Sequence, residues 1–477
     1  MPRGGVAPHM VTRLSASDAS FFGLENSSTP MYVSSLSILR RPRSGLSYET
    51  LLENVEQRLP QIPRYRQKVR EVRFGVARPV WVDDREFDIT YHIRRSALPS
   101  PGSDAQLHEL VARLGSRALD KTRPLWEMYL VEGLAGNRLA IYTKSHQALV
   151  NGMTALEIGH VIADRTQKPP PFAEDIWIPA REPSDAALLM GAVGEWVARP
   201  GGQLAAVRTA VTVATNAGQL LEAGRRFADV AKTFARGSAP SSPLNSKVSR
   251  NRRFTVTSGK LEDYRNLRAR YDCDVNDVVL AVIAGALRNW LLSRGEPVAP
   301  TTTVRAMAPM SVYPDAEIDS SGPGQAISEV SPFLVDLPVG EGNAVVRLSQ
   351  IAHMTESHST AASLVDARTI VTLSGFAPPT LHAMGIRVAT TFPARQFNLL
   401  ITNVPGAQKQ MYIAGSKLLE TYAVPPLLDS QVLAIGVTSY NGMLYFGINA
   451  DRDAMSDVDV MPSLLRESLD ELLEAAQ

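Results

Sequence analysis

The chain has 477 residues, which is long enough for two or three domains with a sizeable buried core. Its 49 basic and 48 acidic side chains nearly cancel, so no overall field attracts it to nucleic acid or to an anionic membrane surface. We therefore expect partners selected by shape and apolar contact, with no nucleic acid among them.

The compartment follows from cysteine content and from the absence of export signals. One cysteine, Cys273, excludes an internal disulfide framework and favours a reducing compartment. Residues 1–18 lack the apolar core of a secretory signal. The most apolar stretch, residues 278–292, is interrupted by Arg288 and Asn289 and favours a buried helix over a membrane span. We expect a cytoplasmic protein whose only membrane or lipid-droplet contact is peripheral.

Strand and helix patterns alternate from the beginning of the chain. Ser15 and Ser47 are N-cap residues that predict helices immediately after them, and apolar spacing predicts another helix from about Ala105 to Leu119. The expected strands are residues 31–39, residues 87–93 and the two strands of a hairpin within residues 124–144. The last of these strands leads directly to His146.

Two breaks divide the chain. Residues 167–183 are rich in proline and cannot continue a helix, and residues 237–246 form a second break. We predict an N-terminal half at 1–183, a helical connector at 184–240 and a C-terminal half at 241–477. The alanine-rich connector is expected to pack on or between the halves, and an amphipathic membrane anchor is the alternative.

The second half repeats the mixture of strand and helix patterns. Helices are predicted at Leu261–Tyr271, from about Asp274 as a buried helix, and at residues 461–475. Asn441 and Gly442 separate two alternating segments, which is the strongest short hairpin signal. The expected strands are residues 252–259, 302–310, 326–338, 397–406, 431–440 and 443–450.

One loop carries the pattern of a reactive site. Residues 144–152 read KSHQALVNG and place a histidine at the end of a strand, before small residues and an Asn-Gly turn into a helix. Taken alone, a buried structural histidine is the commoner interpretation. Metal binding is not expected, because His353 and His358 lie on different faces of a helical stretch without a ligand cluster. No phosphate-binding glycine loop or nucleophile elbow is present in the sequence.

With this loop, the chain resembles the bacterial wax ester synthase/diacylglycerol acyltransferase family. That family belongs to the CoA-dependent acyltransferases, whose sequence hallmark is HHxxxDG. The resemblance extends over nearly the whole chain and rests on separate motifs in the family's order. They are LSASDASFF at 14–22, PLW at 124–126, the KSHQALVNG loop, PLN at 243–245, ND at 276–277, NVPG at 403–406 and SYNG at 439–442.

The resemblance implies a two-domain α/β fold, the CoA-dependent acyltransferase fold, in which each half is a mixed sheet with helices and the HHxxxDG loop lies in a channel between the domains. It implies that the second histidine acts as general base on an acceptor hydroxyl, which attacks the thioester of a long-chain acyl-CoA. The implied acceptor is diacylglycerol or a long-chain fatty alcohol. Acyl-CoA is then a substrate, and no bound cofactor or metal is implied.

This chain departs from the motif at the position of the base. His146 matches the first histidine, Gln147 the second, Asn151 the aspartate and Gly152 the glycine. The amide of Gln147 can orient an alcohol but cannot take its proton near neutral pH. Successive side chains of extended backbone point to opposite sides, so His146 is expected to brace the loop rather than replace the base. Asn151 keeps a turn-forming residue without the charge.

Further site candidates come from the other motifs. Ser439 is a candidate for contact with the thioester oxygen, although a cross-strand hydrogen bond is the alternative. Asn276 and Asn403 are either channel residues or cap and turn residues. Tyr313 stands where the family pattern has an arginine. The channel or substrate candidates are Pro124, Leu125, Trp126, Asn276, Asp277, Asn403 and Ser439.

Two functions remain open at this point. The first is an acyl-CoA-dependent O-acyltransferase that makes triacylglycerol or wax esters at a reduced rate. The second is a catalytically inactive relative that binds acyl-CoA or lipid. We favour the transferase because a positioned general base contributes only about 10²-fold to 10⁴-fold, and a thioester is already an activated acyl donor.

Overall fold

The structure is a computed structural model. It describes residues 12–41, 46–73, 77–150, 158–168, 177–198, 238–308, 310–312, 329–331, 334–362 and 396–477. The α-helices are α1 (Ala16–Leu24), α2 (Tyr48–Glu56), α3 (Ile89–His92), α4 (Asp104–Gly115), α5 (Ile158–Val161), α6 (Asp185–Ala198), α7 (Leu261–Tyr271), α8 (Val275–Ser293), α9 (Ala344–Ala362) and α10 (Met461–Ala475).

The strands of the first half are β1 (Thr12–Arg13), β2 (Tyr32–Arg40), β3 (Gln67–Arg70), β4 (Val80–Asp83), β5 (Ile93–Ala97), β6 (Trp126–Leu134), β7 (Arg138–His146) and β8 (Ala163–Asp164). The strands of the second half are β9 (Arg252–Lys260), β10 (Val304–Met307), β11 (Met310–Val312), β12 (Glu329–Ser331), β13 (Leu334–Leu337), β14 (Leu399–Pro405), β15 (Tyr412–Ile413), β16 (Ser416–Val424), β17 (Leu433–Tyr440) and β18 (Met443–Asp451).

Two large mixed sheets form the frame of the molecule. The first has seven strands in the order β5-β6-β7-β2-β16-β15-β8, and the second has six in the order β13-β10-β14-β17-β18-β9. In the second sheet β14 runs parallel to β17, while β17, β18 and β9 are antiparallel. The predicted α/β class with mixed sheets is confirmed.

The second half of the chain completes the first sheet. Strand β16 pairs antiparallel with β2, with Tyr422 opposite Leu36, and β15 pairs with β8. The division at residue 241 therefore does not separate the two sheets, because β15 and β16 belong to the second half of the chain but are strands of the first sheet. Sequence alone gave no signal for this crossing, since strand pairing between distant segments is not a local property.

The crossing strand lies against a pair of opposed glycines in the second sheet. Gly436 of β17 is directly opposite Gly447 of β18. A Cβ atom on Gly447 would lie 1.9 Å from the backbone oxygen of Ala423, and one on Gly436 would lie 2.8 Å from the Ala423 Cβ. The absence of side chains at these two positions thus permits the close approach of β16.

Local signals predicted most elements of the first half correctly. Ser15 and Ser47 cap α1 and α2 through their side-chain oxygens, as expected. The predicted hairpin is formed by β6 and β7, and the helix expected to reach Leu119 is α4, which ends at Gly115.

One predicted strand of the first half is wrong. Within residues 87–93, Ile89–His92 form the short helix α3, and the strand β5 begins only at Ile93. The Asp88 side chain accepts the backbone N–H of Thr90 and thereby caps a helical turn, which overrides the alternation of apolar residues.

In the second half, the hairpin at Asn441 is confirmed by β17 and β18. The segment 326–338 contains two strands, β12 and β13, rather than one. Helix α6 covers the beginning of the predicted connector, and residues 199–237 lie outside the described residues, as does Tyr313.

Helix α8 forms the centre of the second half. Within the part of the chain that the structure describes, it alone has the length and hydropathy of a membrane span, and 72% of its most apolar window is buried inside the protein. It packs against α9 and α10. This burial is typical of a core helix, which is the interpretation expected from its sequence.

Candidate active site

The candidate loop begins where β7 leaves the first sheet. Strand β7 lies between β6 and β2, with Ser145 opposite Trp126 and His146 opposite Tyr32. The backbone N–H of His146 donates to Leu125 O at 2.9 Å. The N–H of Gln147 donates to Met31 O at 3.0 Å, which extends the sheet contacts by one residue. The backbone at the position of the family's base is therefore held on both sides.

Successive side chains near the strand end point to opposite faces of the sheet. Lys144 points towards the end of α4, where its Nζ donates to Arg117 O at 2.8 Å and lies 3.3 Å from Oε2 of Glu127. Burial lowers the pKa of Lys144, and Glu127 opposes that shift. Ser145 faces the other way and receives a 3.1 Å hydrogen bond from the Tyr65 hydroxyl. The alternation expected from extended backbone is present up to this point.

The His146 ring is buried and contacted at both nitrogens. Its side chain is 1% exposed. Nδ1 accepts the backbone N–H of Ala148 at 3.0 Å, and Nε2 lies 3.8 Å from Oε2 of Glu25. The Phe22 ring meets the imidazole edge-on at 5.9 Å between centroids. We infer from these partners that the neutral ring carries its proton on Nε2.

Gln147 is fully buried at the beginning of the loop. Asn151 and Gly152 lie outside the described residues, which resume at Ile158. There the N–H of Ile158 donates to the Tyr65 hydroxyl at 3.2 Å. Because this hydroxyl also donates to Ser145, Tyr65 connects Ser145 at the end of β7 with Ile158 of α5.

The PLW motif packs directly beneath the end of β7. Pro124, Leu125 and Trp126 are all buried. The indole N–H of Trp126 donates to Tyr65 O at 2.8 Å, and the His92 ring stacks on the indole at 4.6 Å. These contacts support the strand end, and a direct contact of the motif with substrate stays a prediction.

The free energy of unfolding should depend on pH through His92. Burial lowers the pKa of His92 from 6.5 to about 4, and its Nδ1 donates to Trp126 O. Between these two values the unfolded chain binds a proton that the folded chain does not, so the free energy of unfolding should decrease as the pH falls from 6.5 to about 4. Denaturant titrations across this range should show the loss.

The matched variant is His92→Phe, which keeps a ring on the Trp126 indole but does not titrate. Its stability is expected to be lower at neutral pH, because Trp126 O loses a hydrogen bond, but to change less with pH in this window. Equal slopes for the native protein and the variant would contradict the assignment to His92.

A second polar group lies at the carboxyl ends of β14 and β17. The Asn403 amide donates to the Asn276 side-chain oxygen and joins the end of β14 to the first turn of α8. The Ser439 hydroxyl oxygen accepts from Gly406 N at 3.2 Å and from the Gln408 amide at 2.9 Å. Ligands of open α/β sheets commonly bind at the carboxyl ends of parallel strands. Thioester contact by Ser439 stays a prediction.

Asp277 has the contacts of a helix cap. Its carboxylate accepts the Asp274 N–H at 2.8 Å and the Thr355 hydroxyl at 2.7 Å. The residue is 3% exposed, and burial raises its pKa. Asp277 of the ND motif thus caps the beginning of α8, and Asn276 of the same motif contacts Asn403 of the NVPG motif.

The candidate residues fall into two groups, one at each sheet. His146, Gln147 and the PLW motif lie together at the end of β7, while Asn403 and Ser439 lie on strands of the second sheet and Asn276 lies in the first turn of α8, in contact with Asn403. Sequence reasoning missed four residues that hold these groups, and none of them carries a local signal. They are Glu25, Tyr65, His92 and Gln408.

Other chemistry has little support within the described ranges. No group of three metal-ligating side chains occurs in them. Burial raises the pKa of the Cys273 thiol to about 11, which disfavours the reactive thiolate.

Comparison with solved structures defines the class of fold. A wax ester synthase/diacylglycerol acyltransferase from Marinobacter aquaeolei VT8 matches with a TM-score of 0.68 at 27% identity, covering 98% of this chain and 99% of that one. The starter condensation domain of rhizomide synthetase, solved with C8-CoA and Leu-SNAC, matches with a TM-score of 0.55 at 14% identity, covering 98% and 94%. The second likeness shows the fold alone.

Sequence comparison defines the family. Residues 14–279 match the wax ester synthase/diacylglycerol acyltransferase catalytic domain, and residues 329–473 match the C-terminal domain of the same family. A probable diacylglycerol O-acyltransferase of Mycobacterium tuberculosis, tgs3, is 73% identical over 266 residues, which are 56% of this chain and 98% of that protein. Another from the same species, tgs1, is 30% identical over 452 residues, covering 94% and 92%.

The chain therefore belongs to the wax ester synthase/diacylglycerol acyltransferase family. The predicted family, the predicted fold and the prediction of an acyl-CoA-dependent acyltransferase are confirmed.

Proposed function

We propose that this chain transfers a long-chain acyl group from acyl-CoA to the hydroxyl of diacylglycerol or of a long-chain alcohol. The observation that carries the proposal is the position of the loop. The HQALVNG sequence begins at the end of β7, in a two-sheet frame that resembles a wax ester synthase/diacylglycerol acyltransferase along almost its whole length. Diacylglycerol is the acceptor in the names of its relatives, and a wax ester, the ester of a long-chain alcohol, is the product named for one of them.

The transfer needs no reactant other than acyl-CoA and the acceptor. The acceptor oxygen attacks the thioester carbonyl carbon, a C–O bond forms, the C–S bond to CoA breaks, and the acceptor proton ends on the CoA thiol. The Gln147 amide can donate to the substrate or accept the hydroxyl hydrogen, but it cannot remove the proton. The Nδ1 of His146 accepts the Ala148 N–H, and its Nε2 lies 3.8 Å from the Glu25 carboxylate. Acceptor deprotonation is then left to solvent or to the departing thiolate, and turnover is slow.

Acyl-CoA enters this proposal as a substrate only. The condensation-domain relative was solved with C8-CoA and has the same overall fold. We further propose that the protein is cytoplasmic and contacts membranes or lipid droplets peripherally, because both of its proposed substrates carry long hydrocarbon chains. Fractionation of cells that express the protein should find it partly with lipid.

A second candidate function is acyl-CoA or lipid binding without turnover. Gln147 favours it, since the residue at the position of the base cannot accept a proton. The two functions are separated by measuring palmitoyl-CoA binding and palmitoyl transfer on the same preparation, with dioleoylglycerol and hexadecanol in separate reactions. Ester formation above the rate without protein identifies a transferase. Saturable binding with no ester above that rate identifies a binding protein.

A further inference from the structure

A buried carboxylate lies beside the HQALVNG loop and belongs to none of the motifs on which the family resemblance rests. Glu25 follows α1 directly, and its side chain is 4% exposed. Its Oε2 lies 2.9 Å from Lys121 Nζ and 3.8 Å from His146 Nε2. A carboxylate out of water needs compensating partners, and here these are a cation and an imidazole.

Glu25 reaches the loop by a second route that does not involve the His146 ring. Its Oε1 accepts the backbone N–H of Met31 at 3.3 Å. The carbonyl oxygen of Met31 in turn accepts the N–H of Gln147 at 3.0 Å. His146 and Gln147 are consecutive residues. The contacts therefore form a closed circuit, from Glu25 through Met31 and Gln147 to His146 and back to Glu25.

Two further residues contact this circuit, Lys121 at Glu25 and Phe22 at His146. Lys121 Nζ donates to Phe22 O at 3.2 Å and lies 4.3 Å from the centre of the Phe22 ring. The Phe22 ring is the one that meets the His146 imidazole edge-on. The lysine side chain is 40% exposed and provides the charge at the surface, while the carboxylate and the imidazole remain buried.

We propose that Glu25 is a positioning residue for the HQALVNG loop. Its carboxylate orients the His146 imidazole from the Nε2 side, and its hydrogen bond with Met31 helps to position the backbone of Gln147. Lys121 neutralises the charge of the carboxylate. His146 transmits this orientation to the loop, because its Nδ1 accepts the Ala148 N–H. At 3.8 Å the carboxylate acts on the imidazole through its charge rather than through a hydrogen bond, and a negative charge beside Nε2 favours the tautomer that is protonated there. The catalytic consequence rests on the proposed transferase function, whereas the tautomer does not.

The test combines a spectroscopic and a kinetic readout on the full chain. The native protein, Glu25→Gln, Lys121→Met and the matched control Glu56→Gln are prepared with ¹⁵N-labelled histidine. Glu56 is exposed at the end of α2, remote in sequence from the loop. The ring signals of His146 are assigned by their loss in His146→Gln. Far-UV circular dichroism confirms that each variant is folded.

We expect the native His146 ring to be protonated on Nε2 and unprotonated on Nδ1. In Glu25→Gln the amide keeps an acceptor for Met31 but loses the charge, so the two His146 ring signals should move towards a mixture of tautomers. The kcat for acyl transfer should fall about 10-fold to 100-fold, as for other orienting partners, with the KM for palmitoyl-CoA changing by less than about 2-fold. Lys121→Met should give a smaller change in the same direction, and Glu56→Gln should match the native protein.

Two results would overturn the proposal. One is a native His146 ring protonated on Nδ1, and the other is a Glu25→Gln protein whose ring signals and kcat equal those of Glu56→Gln. If the native protein forms no ester, the proposed transferase function fails. The ring signals then still decide whether Glu25 orients His146.

Discussion

Gln147→His is expected to raise the rate of acyl transfer by about 10²-fold to 10⁴-fold, which is the usual contribution of a positioned general base. The backbone at this position is already fixed by the hydrogen bond to Met31 O, so the new imidazole would start from the place that the family uses. The rate is measured with palmitoyl-CoA and hexadecanol or dioleoylglycerol. The variant should also gain an inflection in its pH profile near the reference histidine pKa of about 6.5, which the native protein should lack.

The control for this result is Gln147→Asn, which keeps an amide and should not increase the rate. His146→Ala tests whether the neighbouring histidine acts as the base in the native protein. If the native profile already has the histidine inflection and His146→Ala removes it, His146 is the base and the account of the loop is wrong. An unchanged rate in Gln147→His would equally contradict the claim that the missing imidazole limits turnover.

Gly447→Ala is expected to destabilise the protein by about 3 kcal/mol, at the upper end of overpacking costs. The new Cβ would lie 1.9 Å from the backbone oxygen of Ala423, and a backbone atom cannot move aside as a side-chain tip can. Relief requires β16 to move away from the second sheet, although β16 is also hydrogen-bonded to β2 in the first. The denaturant midpoint of unfolding measures the effect.

The matched control is Gly23→Ala in α1, where a Cβ would meet nothing within 4 Å. That variant should be neutral or stabilised by up to about 1 kcal/mol, because alanine is the better helix former. A Gly447→Ala protein as stable as Gly23→Ala would show that the two sheets are not held as closely at Ala423 as described.

The sequence predicted elements well where a local signal dominates. The caps at Ser15 and Ser47 and the Asn-Gly turn at 441–442 each depend on a few neighbouring residues, and all of them are present in the structure. Residues 87–93 show how such a prediction fails. Their apolar alternation favoured a strand, but a single cap at Asp88 was sufficient to form a helical turn before β5.

The site was predictable in position but not in its supporting contacts. His146 and Gln147 follow from the motif, whereas Glu25 lies about 120 positions earlier in the chain and carries no pattern that connects it with them. Tyr65 likewise reaches Ser145 across 80 residues. The crossing of β16 into the first sheet depends on pairing with β2, nearly 400 positions away, and on glycines in two other strands. Such contacts are set by tertiary packing, which local periodicity does not encode.

The native chain, with glutamine at position 147, should still transfer an acyl group. The most direct test is ester formation by the purified native protein from palmitoyl-CoA and dioleoylglycerol or hexadecanol, compared with the same mixture without protein. We expect triacylglycerol or wax ester above the uncatalysed rate, together with release of an equal amount of free CoA. Bound palmitoyl-CoA with no ester from either acceptor would contradict it and identify a lipid-binding relative.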